Sequence, residues 1–240
     1  MWKRFNYQNG LISVFLNIIY PSKCPLCGSA SDVFNYSPIC STCWSKAKRY
    51  HGPSCRICGI PFSSEYSKVC GQCLKKTPPF STVITYGLYE GVLAEAINQL
   101  KFHGVKRLSK PLGALLQSLN LPRVDFIMPV PLSLKSLRER GYNQSLLIAR
   151  VISKSVKVPL IIDALLKKKE TSPQIGLSAK ERLSNLKNAF EVKGDIKGLR
   201  LLLVDDVMTT GATVTECSKQ LIKAGAKEVI VLTLARSSMM

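Results

Sequence analysis

The stretch that most constrains the fold of this chain is residues 201–213, which read Leu-Leu-Leu-Val-Asp-Asp-Val-Met-Thr-Thr-Gly-Ala-Thr. The apolar run Leu201–Val204 is typical of a short strand that is buried on both faces of a parallel sheet. Residues 215–224 then have helical spacing, with Leu221 and Ile222 on the predicted apolar side. A strand, a loop and a helix in this order predict an α/β fold.

The loop between this strand and helix has the composition of a phosphate site. It offers three hydroxyls, successive backbone N–H groups and a glycine that can take positive φ, all before a helix N-terminus whose dipole favours an anion. The predicted cradle comprises Thr209, Thr210, Gly211, Ala212 and Thr213. The alternative is that these hydroxyls only satisfy a turn.

Two acidic residues, Asp205 and Asp206, lie at the carboxyl end of the predicted strand. Open α/β sheets bind their ligands at this end. Carboxylate oxygens accept hydrogen bonds, so they suit vicinal ribose hydroxyls or the waters around Mg²⁺. The alternative is that the two acids simply cap the following helix.

Cysteine spacing is the second strong constraint. Eight of the nine cysteines form four Cys-x-x-Cys pairs, with 12, 11 and 11 residues between successive pairs. This is the spacing of two tetrathiolate zinc sites, whereas a two-residue gap is poor geometry for a structural disulfide. The pairs are Cys24 with Cys27, Cys40 with Cys43, Cys55 with Cys58, and Cys70 with Cys73.

We expect sequential zinc ribbons, with the first four cysteines on one ion and the last four on another, although the spacing also allows a crossed or nested pairing. Thiolates fill every ligand position, so both Zn²⁺ ions would be structural. Gly28, Gly59 and Gly71 lie beside cysteines and are expected to take the unusual backbone angles of tight knuckles. Cys217 stands alone and is expected to be a small buried apolar residue.

The composition fits an intracellular protein in two parts. The chain has 240 residues, 46% of them hydrophobic, enough for one core of about 150 residues and a small metal-held module. The net charge is +19, and residues 1–78 hold ten basic and two acidic side chains. Such a charge favours nucleic acid first and an acidic membrane surface second, or serves solubility alone.

An apolar stretch, Leu11–Tyr20, lies near the N-terminus. No small-residue cleavage site follows it, and ten residues are too few to span a bilayer. We therefore expect a short helix packed against the zinc module and no transmembrane segment, with peripheral membrane contact as the alternative.

Pro78 and Pro79 mark the clearest boundary, because paired prolines stop regular structure after the last cysteine pair. Beyond them strands alternate with helices, which implies a parallel sheet with right-handed crossovers. The predicted units are an N-terminal helix over residues 1–22, a double zinc-ribbon module over 23–78 and a large domain over 79–240. Its predicted elements are strands over 81–88, 126–130, 160–166 and 229–234, and helices over 91–102 and 144–156.

Residues 138–144 read Arg-Glu-Arg-Gly-Tyr-Asn-Gln. The guanidinium groups of Arg138 and Arg140, beside a glycine at the start of a helix, can grip a pyrophosphate through bidentate, charge-assisted hydrogen bonds. A solvated surface turn is the alternative.

Residues 201–213 closely resemble the 5-phosphoribosyl-1-pyrophosphate (PRPP) motif of type I phosphoribosyltransferases. The order of Pro129-Val-Pro131, residues 138–144 and this motif resembles the ComF family of competence-associated proteins, with which Leu100-Lys-Phe-His-Gly104 also agrees. The resemblance implies a type I phosphoribosyltransferase-like parallel sheet flanked by helices and preceded by a small double zinc-ribbon domain.

The resemblance also implies roles for the site residues. Asp205 and Asp206 would hold the ribose hydroxyls, residues 209–213 the 5′-phosphate, and Arg138 or Arg140 with Mg²⁺ the departing pyrophosphate. Residues 167–190 would correspond to the basic loop that closes over PRPP in enzymes of this fold. No residue is an obvious element for recognising a base.

The function implied by the resemblance is PRPP and Mg²⁺ binding by a cytoplasmic protein that handles imported single-stranded DNA during natural transformation. Its expected partners are PRPP, single-stranded DNA and the DNA-uptake machinery at the inner membrane face, where it would be peripheral. The alternatives are an active phosphoribosyltransferase of nucleotide metabolism and a regulator that senses PRPP without turnover.

Overall fold

The structure is a computed structural model that describes residues 22–64, 66–169 and 186–238. The predicted N-terminal helix, including the apolar stretch over residues 11–20, lies outside the described residues. Residues 170–185, the middle of the segment that resembles a closing loop, also lie outside the described residues.

The described elements follow one another in chain order. They are α1 (Ser41–Trp44), α2 (Gly71–Lys75), β1 (Thr82–Leu88), α3 (Gly91–Phe102), α4 (Ser109–Gln117), β2 (Phe126–Pro129), α5 (Leu134–Arg140), α6 (Gln144–Val156), β3 (Leu165–Lys167), β4 (Phe190–Val192), β5 (Arg200–Met208), α7 (Ala212–Lys223) and β6 (Glu228–Arg236). A 3₁₀ turn over Lys106–Leu108 precedes α4.

The main sheet has the strand order β1, β6, β5, β2, and its pairings are parallel. This confirms the predicted parallel sheet flanked by helices. Because β2 and β5 are parallel neighbours, with Pro129 opposite Val204, their carboxyl ends meet at one edge of the sheet. The loops that follow these two strands therefore lie side by side.

Two apolar cores sandwich this sheet. Helices α3, α4 and α6 cover one face, where Leu100 and Ile148 join the core of Leu202. Helix α7 covers the other, where Cys217 is completely buried, as predicted. Ile222 is 38% exposed, so its predicted place on the apolar side is wrong. The helical repeat carries residue 222 beyond the buried stripe.

Two predicted strand limits are wrong. The strand predicted over residues 160–166 is broken: Leu160 makes an isolated parallel bridge to Ile127, whereas β3 pairs antiparallel with β4 in a separate small sheet. The chain leaves the main sheet where Asp163 interrupts the apolar run. The strand predicted to end at Val204 continues to Met208, because β5 stays paired with β6.

The zinc-ribbon region covers the outer edge of β1. The Val83 N–H donates to the Ile57 carbonyl over 2.8 Å, and the Tyr50 N–H donates to the Tyr86 carbonyl over 2.9 Å. An uncovered edge strand would present unpaired backbone groups to other chains. The ribbon region thus closes the sheet on this side.

Within the described part of the chain, no helix combines the length and the apolar character that crossing a bilayer would require.

Candidate PRPP site and zinc centres

Eight of the nine cysteines lie in two groups of four, in sequential order. Within each group the Sγ atoms lie within 4.8 Å of one another, which is the arrangement that one tetrahedral ion needs. The first group is Cys24, Cys27, Cys40 and Cys43, and the second is Cys55, Cys58, Cys70 and Cys73. Four thiolates leave no open ligand position, so these sites suit structural zinc.

The two groups repeat one backbone pattern. The Gly28 N–H donates to the Cys24 carbonyl and the Gly59 N–H to the Cys55 carbonyl, each over 2.8 Å. Both glycines have positive φ, as predicted for tight knuckles. Gly71 was expected to do the same, but it begins α2 with ordinary helical geometry because the second half of each site is a short helix.

Cysteines of both groups belong to the cores of the protein. Cys24, Cys40 and Cys43 pack into the core that α3, α4 and α6 cover. Cys55, Cys58 and Cys73 pack into the core on the face of α7. Each zinc site is therefore continuous with one face of the sheet.

Asp205 and Asp206 form the centre of the candidate ligand site and are 8% and 2% exposed. Both lie within β5. Val204 and Val207 pack against the same core although residues three apart should face opposite sides, so β5 changes face at the two acids. This change lets both adjacent carboxylates reach helix α6.

The hydrogen-bond partners of the two acids come from α3 and α6. The Ser145 hydroxyl donates to Asp205 Oδ1 over 3.0 Å, and the Gln144 amide lies 3.3 Å from Asp206 Oδ2. Lys101 Nζ, at the end of α3, lies 2.8 Å from Asp206 Oδ2. Among the described residues, this contact is the salt bridge that Asp205 and Asp206 form with a cation.

Burial and mutual repulsion separate the protonation of the two carboxyls. Burial, with the charge of Asp206 beside it, raises the pKa of Asp205 to about 8. Burial would also raise the pKa of Asp206, but the Lys101 ammonium outweighs it and lowers that pKa below its ordinary value. One buried acid is thus matched by a cation, whereas the other has hydroxyl and backbone donors only.

The residues predicted to cradle a phosphate surround a small cavity that Asp205 also lines. The cavity is bounded by Asp205, Val207 and residues 208–214. Gly211 has φ +78° at the N-cap of α7, and a Cβ there would come within 2.5 Å of the Met208 side chain. The backbone angle therefore favours glycine at this position, whereas the end of the flexible Met208 side chain could move aside.

Arg236 holds the backbone before this loop. It is 1% exposed and donates to the carbonyls of Met208, Thr209 and Ser237. Its Nε donates to the Cys58 carbonyl over 3.1 Å. One buried guanidinium thus joins the second cysteine group to the start of the predicted phosphate loop.

Arg138 and Arg140 both lie on the last turn of α5, not at the start of a helix as their sequence suggested. Arg140 donates to the Gln144 side chain, and its guanidinium carbon lies 5.6 Å from the Phe102 ring centroid. The structure therefore brings Arg140 to the rim of the acidic pair. Arg138 is exposed, and among the described residues its side chain makes no hydrogen bond or ion pair.

The chain is similar to proteins named for DNA use and competence. It is 34% identical to the DNA utilization protein YhgH of Escherichia coli (strain K12), covering 90% of this chain and 98% of that protein. It is 36% identical to Competence protein F of Haemophilus influenzae, covering 83% and 90%. It is 28% identical to Competence protein ComFC of Bacillus subtilis, covering 83% and 84%.

The chain belongs to the ComF family.

Two domain families match within this ComF-family chain. The double zinc ribbon domain matches residues 15–74, and the phosphoribosyl transferase domain matches residues 143–238. Together with the parallel sheet and the two four-cysteine sites, they confirm the predicted fold. A Bacillus subtilis glutamine PRPP amidotransferase is a similar solved structure, with TM-score 0.38 and 22% identity, covering 52% of this chain and 25% of that one.

Several residues at the acidic pair of this ComF-family protein had no role predicted from sequence. Lys101, Gln144 and Ser145 all contact it, and Arg236 supports the neighbouring loop. Lys101 and Gln144 lie in segments that resemble the family, and Arg236 ends the apolar run of β6, but these signals do not point to the acidic pair. Lys101, Gln144 and Ser145 come from separate helices that meet the sheet only after folding.

Proposed function

We propose that the carboxyl edge of the sheet binds PRPP with Mg²⁺. In this proposal Asp205 and Asp206 accept hydrogen bonds from the ribose hydroxyls, and residues 209–213 donate backbone and hydroxyl hydrogen bonds to the 5′-phosphate. The observation that carries it is a deeply buried pair of carboxylates beside a glycine-bearing loop at the start of α7.

The charge balance of the site supports a ligand with donors or positive charge. Two buried carboxyls face the ammonium of Lys101, and burial strongly raises the pKa of Asp205. A buried carboxylate without a matching cation is costly. Hydroxyl donors from a ribose, or a hydrated Mg²⁺ accompanying the ligand, would reduce that cost. Carboxylate oxygens are among the ligands that Mg²⁺ prefers.

We assign the pyrophosphate of PRPP to the side of the site where α5 ends. Arg140 reaches the rim of the acidic pair through Gln144, and Arg138 is exposed two residues earlier in the last turn of α5. Guanidinium groups bind phosphate oxygens through paired hydrogen bonds. Magnesium bound to the pyrophosphate would neutralise part of its charge, while the two arginines orient it.

We propose that the cellular role is the handling of imported single-stranded DNA in the cytoplasm, next to the DNA-uptake machinery at the inner membrane. Relatives named for competence and DNA utilization support this role, as does the net charge of +19. Lys46, Lys48 and Arg49 are exposed in the linker between the two cysteine groups, where they can contact phosphates. The same three units, 1–22, 23–78 and 79–240, remain our proposed division of the chain.

Calorimetric titration of Mg²⁺·PRPP into the full chain tests the ligand proposal. Wild type is expected to bind, and the Asp205→Asn, Asp206→Asn double variant is expected to lose binding while keeping its zinc content and a cooperative melting transition. The asparagine side chains keep the size of the acids, which makes a packing defect a minor effect. Equal affinity in both proteins would remove the ribose assignment.

A second candidate function is transfer of the ribosyl group with release of pyrophosphate. The position of Arg140 beside the acidic pair favours it, because charge that develops on a leaving pyrophosphate would appear there. Pyrophosphate release from PRPP, measured with nucleobases as nitrogen nucleophiles, would establish turnover. Tight binding without release would instead support a PRPP-sensing regulator.

A further inference from the structure

Phe102 is an exposed aromatic residue at the end of α3, directly after the lysine that binds Asp206. It is 59% exposed, whereas its neighbour Leu100 is completely buried in the core. The side chain therefore contributes little to packing, and an exposed phenyl ring has no favourable contact with water. Because Phe102 lies at the rim of the candidate site, its exposed ring is available to a ligand bound there.

Two cations flank the Phe102 ring. Lys101 Nζ lies 5.7 Å and the Arg140 guanidinium carbon 5.6 Å from the ring centroid. Both distances are at the outer limit of a cation–π contact, and with both cations present the residue is still 59% exposed. An open ring between two cations offers a stacking face together with positive charge for a phosphate.

Lys101 connects this ring to the acidic pair. Lys101 Nζ contacts both the ring and Asp206 Oδ2, the latter over 2.8 Å. A ribose bound at Asp206 would hold its base or its base acceptor close to that lysine. The ring is thus within reach of a base attached, or about to be attached, to the same ribose.

We propose that Phe102 is the stacking platform for a nucleobase, with Lys101 and Arg140 beside it for the phosphates. The ligand class is a nucleotide, supplied either as a free mononucleotide or as a unit of a single strand. Aromatic side chains in positively charged grooves stack on nucleobases with little preference for sequence. This inference deepens the proposed function, since its location depends on a ribose site at Asp206.

The test measures the affinity of the full chain for base-bearing and base-free probes. The probes are adenosine monophosphate, an oligothymidylate of about ten nucleotides and an abasic strand with the same number of phosphates. Phe102→Leu is expected to weaken the base-bearing probe that the protein binds by about 5- to 150-fold, while affinity for the abasic strand stays unchanged. Phe102→Trp is expected to keep the affinity, with quenching of the new tryptophan on binding.

Tyr66→Leu is the matched control, because Tyr66 is a fully exposed aromatic residue of the ribbon region and belongs to neither apolar core. It is expected to leave adenosine monophosphate binding unchanged. An effect of Phe102→Leu on the mononucleotide identifies a free nucleotide as the source, and an effect on the oligothymidylate alone identifies the strand.

Equal affinities of wild type and Phe102→Leu for every base-bearing probe would overturn the proposal. So would an equal loss for the abasic strand, or no binding of any base-bearing probe to wild type. None of these probes contains PRPP, so the result is independent of the Mg²⁺·PRPP titration. If PRPP binds while Phe102→Leu changes nothing, the base platform alone fails.

Discussion

Lys101 Nζ lies 2.8 Å from Asp206 Oδ2, so the last turn of α3 is tied to the middle of β5. The ammonium is partly exposed and the carboxylate is buried. This contact lowers the pKa of Asp206 against the effect of burial and leaves Asp205 as the acid with the raised pKa. One ion pair thereby assigns different protonation to two adjacent, chemically identical side chains.

Lys101→Met should destabilise the fold near pH 7 by about 2 kcal/mol, because it leaves the Asp206 carboxylate buried without its cation. The folded-state pKa of Asp206 is lowered, so the stabilisation exists above the unfolded pKa and is lost as pH falls through the folded one. The difference in unfolding free energy between wild type and Lys101→Met, measured with urea, should therefore become smaller at acidic pH. The Lys101→Met, Asp206→Asn double variant should be more stable than the single variant at pH 7, and a lower stability would contradict the pairing.

Asp205→Asn should stabilise the ligand-free protein at pH 8. Burial raises the folded-state pKa of Asp205 to about 8, so the folded state binds this proton more tightly than the unfolded state. Stability is then lost as pH rises from the unfolded pKa through the folded one, and the loss is on the order of a few kcal/mol. Melting temperatures of wild type and variant should diverge between pH 5 and pH 8. A constant difference would show that Asp205 does not titrate in this range.

Purified protein should contain two zinc ions per chain, and Cys58→Ser should lower this to one. The second cysteine group packs into the core on the face of α7, so the same variant should also lower the melting temperature of the whole protein. Cys217→Ala is the control, since this buried cysteine lies outside both groups and should leave two zinc ions. Elemental analysis of the metal content checks both outcomes.

Arg236→Met should weaken Mg²⁺·PRPP binding although Arg236 lines neither the acidic pair nor the cavity. The methionine replaces the apolar stem of the arginine but loses the hydrogen bonds to Cys58, Met208 and Thr209, which hold the loop backbone. We expect unfolding free energy to fall by about 2 to 4 kcal/mol, because buried carbonyls lose their donors. Calorimetry at a temperature where the variant is folded should then give at least tenfold weaker binding. Unchanged affinity would show that the loop keeps its shape without the guanidinium.

Replacing Lys46, Lys48 and Arg49 by glutamine should weaken single-stranded DNA binding and lower its log-log salt slope by about 2, since each phosphate contact on a single strand contributes roughly 0.7. The matched control replaces Lys110, Arg150 and Lys154 by glutamine, which removes the same charge. These three residues line a groove between α4 and α6. An effect on the slope from the control variant alone would place the DNA on the large domain.

The spacing of apolar residues along the chain predicted most of the fold. The helices over residues 91–102 and 144–156 have the limits that their apolar spacing predicted, because a periodic stripe fixes both the type and the extent of a helix. The strand predicted over 160–166 was wrong because the chain leaves the main sheet at Asp163, and the residues after it pair with β4 instead. The residues that the sequence marked at the carboxyl edge are brought close together, except Arg138, which stays exposed on α5.

The sequence by itself determined the features that depend on neighbours along the chain: two groups of four thiolates, a strand followed by a threonine and glycine loop, and a strongly basic surface. Only the tertiary structure decided which cation pairs with Asp206 and that Arg236 reaches the Cys58 carbonyl across 178 residues of sequence. It also placed the ribbon region over the edge of β1. These contacts join distant segments, and their partners are chosen by how helices and knuckles pack on the sheet, which no local spacing encodes.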